Sequence, residues 1–193
     1  MMHSDIKSRP AYQLLEPDLA GTGHLLVIEG ETVLPGRLDS LAGTFAPVED
    51  KLHTWLVGSH AGAQGLGKVW HLPAIADVVD AFACATRGFG IGDRLYVQGT
   101  EPFLWSVATA AGIVGFGTGQ VQLHHAGSLR RRVWCTHCHG LTDNVTTNIA
   151  ACSGCGRHLL VRDHFSRRLG AFMGVMIDAE VPGQIPALEE VFP

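Results

Sequence analysis

His53-Thr54-Trp55-Leu56-Val57-Gly58 is a short apolar run closed by a glycine, and it reads as a buried strand. It leads into Ser59-His60-Ala61-Gly62-Ala63-Gln64-Gly65-Leu66-Gly67, a glycine-rich loop. Pro73 then stands where a helix can open. Ile75, Val78, Val79, Phe82 and Ala83 recur at helical spacing, with a stop near Gly88. Asp93-Arg94-Leu95-Tyr96-Val97-Gln98-Gly99 predicts a second strand. Pro102 opens a second helix with Leu104, Val107, Ala108 and Ala111 on one face, ended by Gly112 and Gly115. Gln120-Val121-Gln122-Leu123-His124 predicts a third strand. A βαβαβ succession forms a parallel sheet with right-handed crossovers. The expected fold is therefore an α/β, Rossmann-like domain whose ligands sit at the carboxyl ends of the strands.

Working outward, His24-Leu25-Leu26-Val27-Ile28-Glu29-Gly30 predicts a further strand, and Gly36 to Asp50 is mixed, with some loop character. The first twenty residues are polar and proline-interrupted, a loosely packed lead-in. Of 193 residues, 46% are hydrophobic, 17% are charged and 24 are glycine, which fits a compact α/β protein with many tight turns and excludes a disordered one. The opening MMHSDIKSRPAYQLLEP lacks the apolar run of a secretory signal. The longest apolar stretch, Val107 to Val114, is too short to span a bilayer. A cytoplasmic protein with no membrane partner is expected.

Five cysteines carry the second theme. Cys135-Thr-His-Cys138 and Cys152-Ser-Gly-Cys155 are two CxxC pairs, and Cys84 reads as a small buried hydrophobe within the first helix. Two sulfurs three positions apart grip one ion from a tight turn, and the turn's N–H groups stabilise the thiolates. Two such turns supply a tetrahedral four-sulfur set in a small zinc-ribbon or rubredoxin-like module, suiting Zn²⁺ or, alternatively, a single iron. Gly156, directly after Cys155, fits a turn position with positive φ, whereas His139 holds the corresponding place after Cys138. His137, His139 and His158 are expected to face solvent.

Charge divides the chain. Residues 1–129 hold 7 basic and 12 acidic side chains, residues 130–168 hold 7 arginines against Asp143 and Asp163, and residues 169–193 hold 4 acids and no base. This sets the expected domains: 1–129 the α/β domain with its lead-in, 130–165 the metal module, and 166–193 a tail that docks on a partner. Arg131, Arg168, Phe172 and Met173 are the candidate partner contacts, the arginines steering an acidic surface and the Phe172–Ile177 run supplying an apolar centre. Few aromatics interleave with the arginines, so no nucleic acid is expected, although a nucleic-acid-binding zinc ribbon is a rival reading of the same charges. Gly58, Ser59 and Gly62 in the glycine loop, and Gly99, Thr100 and Glu101 after the second strand, are candidate nucleotide contacts. The loop departs from the G-x-G-x-x-G spacing, and a mere turn explains it equally well. No catalytic triad or carboxylate pair stands out.

Leu95-Tyr96-Val97-Gln98-Gly99-Thr100-Glu101-Pro102-Phe103-Leu104-Trp105-Ser106-Val107, with the closing strand Val121-Gln122-Leu123-His124, resembles the nucleotide-binding half of ferredoxin reductases. Gln98 stands where that family has a cysteine beside the nicotinamide, and Thr100 where it has a proline. Residues 1–52 are too few for that family's flavin barrel. Joined to the four-cysteine module and to Asp163-His164-Phe165-Ser166-Arg167-Arg168-Leu169-Gly170-Ala171-Phe172, this half is similar to the DmmA subunit family of bacterial dimethylamine monooxygenase. The resemblance implies an accessory or electron-transfer subunit of a multisubunit complex. That complex demethylates dimethylamine to methylamine and formaldehyde with O₂ and NAD(P)H. Haem, flavin and an iron–sulfur cluster would sit on partner subunits, a haem subunit and a flavin/iron–sulfur reductase. A purely structural assembly subunit is the remaining alternative.

Overall fold

The computed structural model describes residues 8–34, 36–58, 63–84 and 89–193. Two compact units divide the chain, one spanning Tyr12–Gly127 and the other Ser128–Pro193 with the described start of the chain.

In the first unit, β1 (Gly23–Glu29), β2 (Leu52–Val57), β3 (Lys68–Leu72), β4 (Asp93–Gly99) and β5 (Val121–His125) form one sheet in the order β3-β2-β1-β4-β5. Every pairing is parallel. The helices α1 (Arg37–Phe45), α2 (Ile75–Ala83) and α3 (Glu101–Ile113) cover its two faces. Leu25, Val27, Leu95 and Val97 point to one face and pack with Val78 and Phe82 of α2 and Leu104 and Val107 of α3. Leu26, Ile28, Leu56 and Tyr96 point to the other and pack with Leu38, Leu41 and Phe45 of α1. Burial on both faces is why β1 and β4 read as continuous apolar runs rather than alternating ones. This is the expected Rossmann-like sheet, with β1 at its centre.

Four local readings are corrected. Gly36 to Asp50 is not loop: α1 fills its first part and a 3-10 helix, Ala46–Lys51, the rest. The glycine-rich loop does not enter a helix. It returns the chain to β3, an edge strand running parallel to β2, so it lacks the strand-to-helix setting that a phosphate loop needs. Cys84 is exposed rather than buried. The later part of the lead-in is tied down, since the Asp18 N–H donates to the Tyr96 hydroxyl at 2.9 Å and Glu16 exchanges two hydrogen bonds with the Gln122 amide at 2.8 and 3.0 Å; residues 1–7 lie outside the described residues.

The second unit is also a five-stranded sheet, ordered β7-β6-β10-β9-β8, from β6 (Arg131–Cys135), β7 (Leu141–Val145), β8 (Ile149–Ala151), β9 (His158–Ser166) and β10 (Ala171–Met176). β6–β7 and β8–β9 are antiparallel hairpins. β10 lies between them, parallel to β6 and antiparallel to β9. The apolar run assigned above to a separate docking tail is thus the middle strand of the sheet, because its backbone completes both hairpins. Among the described residues no helix is long and apolar enough to cross a membrane.

The return to β3 requires Gly67, which holds φ +62° where an added Cβ would collide with the Leu52 carbonyl oxygen. The buried Leu66 beside it pins the loop, its carbonyl accepting from the Thr54 hydroxyl at 2.8 Å. Left-handed strain and a backbone clash together predict that Gly67→Ala lowers unfolding stability by about 2–4 kcal/mol. Urea titration followed by far-UV circular dichroism measures this.

Candidate metal centre

The two CxxC turns sit at the tips of the two hairpins and have the same backbone. In the first, the His139 N–H donates to the Cys135 carbonyl and the Cys135 N–H to the Gly140 carbonyl, both at 2.9 Å. In the second, the Gly156 N–H donates to the Cys152 carbonyl at 2.9 Å and the Cys152 N–H to the Arg157 carbonyl at 2.8 Å. The residue after each second cysteine takes positive φ, 72° at Gly156 and 64° at His139. A histidine tolerates this conformation better than a β-branched residue, and its ring stacks on Trp134 with centroids 5.2 Å apart.

The turns bring together the four cysteines singled out from spacing. The Sγ atoms of Cys135, Cys138, Cys152 and Cys155 all lie within 4.8 Å of one another. Cys138 and Cys152 are 3.5 Å apart, Cys135 and Cys155 3.9 Å. A tetrahedral ion with metal–sulfur bonds of about 2.3 Å needs sulfurs about 3.8 Å apart, so the set fits one ion. A bridged cluster would spread its ligand pairs further. His137, His139 and His158 are exposed and outside the set. Among the described residues no other group of three or more ligating side chains converges.

The sulfurs hold protons unequally. The Gly140 N–H favours the Cys138 thiolate, but the neighbouring sulfurs and loss of hydration outweigh it and push Cys138 up to about 11. Burial opposes ionisation of Cys152, yet the N–H groups of Cys155 and Gly154 and the adjacent thiols bring it down to about 6. The Arg157 backbone N–H, helped by its side chain, holds Cys155 below the ordinary thiol range. Repulsion among clustered thiolates keeps a proton at Cys138, and a bound cation would remove that repulsion.

The other candidate residues fall differently. Gly58 ends β2 and is described; Ser59 and Gly62 lie outside the described residues. Gly99, Thr100 and Glu101 stand at the carboxyl end of β4, where this fold class binds nucleotides, but side chains of the chain itself engage them. Glu29 accepts the Thr100 N–H at 2.6 Å, and a Cβ on Gly99 would meet the same carboxylate at 2.7 Å. Glu101 accepts the Tyr12 hydroxyl at 2.6 Å. Among the proposed partner contacts, Phe172 is buried and Arg131 is 4% exposed. Arg131 bonds Asp163 at 2.7 Å, with its guanidinium 3.8 Å from the ring centres of both Phe172 and Phe192. Both residues therefore serve the interior of their own unit, while Arg168 is exposed and Met173 half-buried. Spacing gave no sign of the Arg131 cage, because Phe192 is far off in sequence.

Two family profiles match this chain. "Dimethylamine monooxygenase subunit DmmA-like, N-terminal domain" covers residues 4–121, and the C-terminal domain of the same name covers residues 132–175. The chain belongs to the DmmA-like family. The heme-dependent oxidative N-demethylase delta subunit of Ectopseudomonas mendocina (strain ymp) is 33% identical over 129 residues, 63% of this chain and 74% of that subunit. No solved structure gives a significant match. The DmmA-like C-terminal match takes in all four cysteines, and the N-terminal match contains β1 to β4 and α1 to α3.

The second unit of this DmmA-like chain has few large buried side chains, mainly Val133, Val145, Ile149, Leu159, Phe165 and Phe172, so an ion bound at the hairpin tips would contribute folding free energy directly. Cys152→Ser is expected to abolish amide-exchange protection in β6 to β10 while β1, β2 and β4 keep theirs. Hydrogen exchange with mass spectrometry reads both in one sample.

Proposed function

We propose that this chain is an accessory subunit of a haem-dependent oxidative N-demethylase. The observation that carries this reading is the 33% identity to the delta subunit of such an enzyme, extending over 74% of that subunit. By that reading the complex oxidises dimethylamine to methylamine and formaldehyde with O₂ and NAD(P)H. Haem, flavin and iron–sulfur cluster reside on partner subunits.

The four cysteines would hold a zinc ion. Zinc with four thiolates has no open position and no redox chemistry, so it would join the two hairpin tips and fix the surface around them. Cys135 and Cys152 would anchor it from the buried side, Cys138 and Cys155 from the outer side. The Gly140, Gly154, Cys155 and Arg157 N–H groups would lower the basicity of the sulfurs. Exposure of Cys138 favours a second reading, iron acting as an electron relay through that ligand. A nucleic-acid-binding ribbon is disfavoured by the ion pairs of Arg131 with Asp163 and of Arg132 with Asp143, which occupy two of the seven arginines.

A partner surface in the second unit remains part of the proposal. Its exposed cations are Arg130, Arg162, Arg167 and Arg168, and not Arg131. Tagged chain co-expressed with candidate haem and reductase subunits should retain the haem subunit on affinity purification. Metal analysis should return one zinc per chain and no visible thiolate–iron absorption. Failure to retain any redox subunit would refute the accessory role, and one iron per chain with a visible band would select the relay.

The carboxylate on the first turn of α3 generates a further expectation. Glu29 already occupies the anion position at that helix start and would repel a pyrophosphate there. The isolated chain should bind NADH and FMN no more tightly than about 100 μM, roughly −5.5 kcal/mol. Isothermal titration calorimetry checks this, and micromolar affinity would contradict it.

A further inference from the structure

Strand pairing in the second unit sorts its side chains onto two faces, because residues opposed across a ladder project to the same side. One face is the interior of the unit. Val133 of β6 opposes Phe172 of β10, Phe172 opposes Phe165 of β9, and all three are buried. On the other face a second apolar row runs through the same strands. Leu141 of β7 opposes Trp134 of β6, and Trp134 opposes Met173 of β10. Further along β10, Val175 opposes Leu160 of β9, which opposes Ile149 of β8. The row crosses the whole sheet from edge to edge.

Burial falls off along this row. Ile149 is buried, Leu160, Val175, Met173 and Trp134 are half-buried, and Leu141 is 43% exposed. A sheet face built only for solvent carries polar side chains, and isolated apolar residues on a surface need no explanation. Adjacent, partly open apolar side chains on neighbouring strands do. The row also lies at the metal end of the sheet. Trp134 directly precedes Cys135, and its indole stacks on His139, which follows Cys138, with centroids 5.2 Å apart. The Ser153 hydroxyl, next to Cys152, donates to the Leu141 carbonyl at 2.9 Å. Both turns therefore hold the row in place. Beside it, Arg162 and His164 alternate with Leu160 along β9 and are exposed. Arg162 makes no ion pair among the described residues.

We propose that this outer face of the second sheet docks another subunit of the N-demethylase complex, one that presents an apolar centre rimmed by carboxylates. The proposal rests on the accessory-subunit reading above. Trp134, Met173, Leu160 and Leu141 form the centre, where aromatic and methionine side chains suit an interface. Arg162 and His164 form a rim that calls for acids on the partner. Arg132 adds little to it, because Asp143 already holds its guanidinium at 2.6 Å. The same rim argues against a second copy of this chain, since two copies meeting through one patch would set like charges against each other.

The test uses the tagged full chain co-expressed with the haem and reductase subunits, followed by interferometry on whichever subunit it retains. Leu141→Asp should weaken that binding at least about tenfold, the scale of a central interface side chain. Arg162→Glu should slow association and reduce its dependence on salt. Ile113→Asp, at an apolar residue of the first unit that is 82% exposed, should bind as the unaltered chain does. Both second-unit changes lie on exposed side chains, and metal content with amide-exchange protection of β6 to β10 should match the unaltered chain. If the unaltered chain retains no redox subunit, the accessory reading fails and this proposal with it. If it retains one and Leu141→Asp binds that subunit equally well, the docking face alone is refuted. Loss of binding in Ile113→Asp to the same extent as in Leu141→Asp would also overturn it. So would a dimer of the purified chain that Leu141→Asp dissociates in analytical ultracentrifugation, because the face would then belong to a second copy.

Discussion

Four sulfurs within 4.8 Å of one another are an arrangement that thiolates do not hold unaided. At an effective dielectric of 20, two unit charges about 4 Å apart repel by about 4 kcal/mol, and four thiolates make several such pairs. The second unit is organised around meeting that constraint. Each hairpin ends in a turn whose N–H groups point at sulfur, and the residue after the second cysteine adopts positive φ to close the turn. β10 then runs between the hairpins up to their tips, with Gly174 in register with Cys135, and the Thr136 N–H, just past Cys135, donates to the Gly174 carbonyl at 3.0 Å. Gly174 is needed there because a Cβ would come within 2.6 Å of Val133 Cγ1 and 2.9 Å of Leu159 Cδ1. The close-packed central strand and, on the zinc reading, an ion at the tips would together hold a sheet with little apolar core.

The first unit keeps a Rossmann-like topology, and at the carboxyl ends of its central strands side chains of the chain itself bond the start of a helix. The switch point lies between β1 and β4, where the strand order reverses. Glu29 at the end of β1 reaches across to the start of α3, and a carboxylate at a helix N-terminus does electrostatically what a bound phosphate would do. Tyr12 from the lead-in bonds Glu101, and Trp105 donates to the Tyr12 hydroxyl at 2.9 Å. Arg37, the first residue of α1, bonds His124 at 3.0 Å instead of facing a ligand alone. The helix starts that would cradle a nucleotide thus hold side chains of the same chain.

Legibility in the sequence followed the range of the interactions. The CxxC pairs were readable because each turn is local, and their convergence needed only that two such turns share one ion. The central strands were readable because burial on both faces makes them uniformly apolar. β3 was not: Lys68, Trp70 and His71 lie on a half-exposed edge, which carries neither a continuous run nor an alternation. α1 did carry a signal, Leu38, Leu41 and Phe45 at helical intervals, but Gly36 and Gly43 broke the propensity and hid it. The run Ala171–Met176 was ambiguous in principle, since an apolar segment fits a partner's groove and a central strand equally well, and only the long-range pairing with β6 and β9 decides. A cavity at the amino ends of the strands of the first unit was invisible because its members come from three strands, a 3-10 helix and two loops.

Arg131 shows why a count of charges misplaces a surface. Seven arginines against two acids suggested one basic face, yet the sheet turns alternate residues of β6 inward, and Arg131 goes in with Val133 and Cys135. Burying a guanidinium requires a partner charge and cover for its faces. Asp163 supplies the charge, and Phe172 and Phe192 stack on it at 3.8 Å. Phe192 reaches that position because the end of the chain is tied to the same unit. The Val191 and Phe192 N–H groups donate to the Thr146 carbonyl at 2.9 Å, and the Leu129 N–H donates to the Pro193 carbonyl at 2.6 Å. The last residues therefore belong to the fold of the metal unit even though their composition reads as a free tail. What remains exposed for a partner is Arg130, just before β6, and the set Arg162, Arg167 and Arg168 in β9 and the turn that follows it. Backbone pairing with β10 holds β9 in register with the strand beside the metal-bearing hairpin. Since β10 bridges the two hairpins, an ion bound between their tips would also help fix where those cations stand.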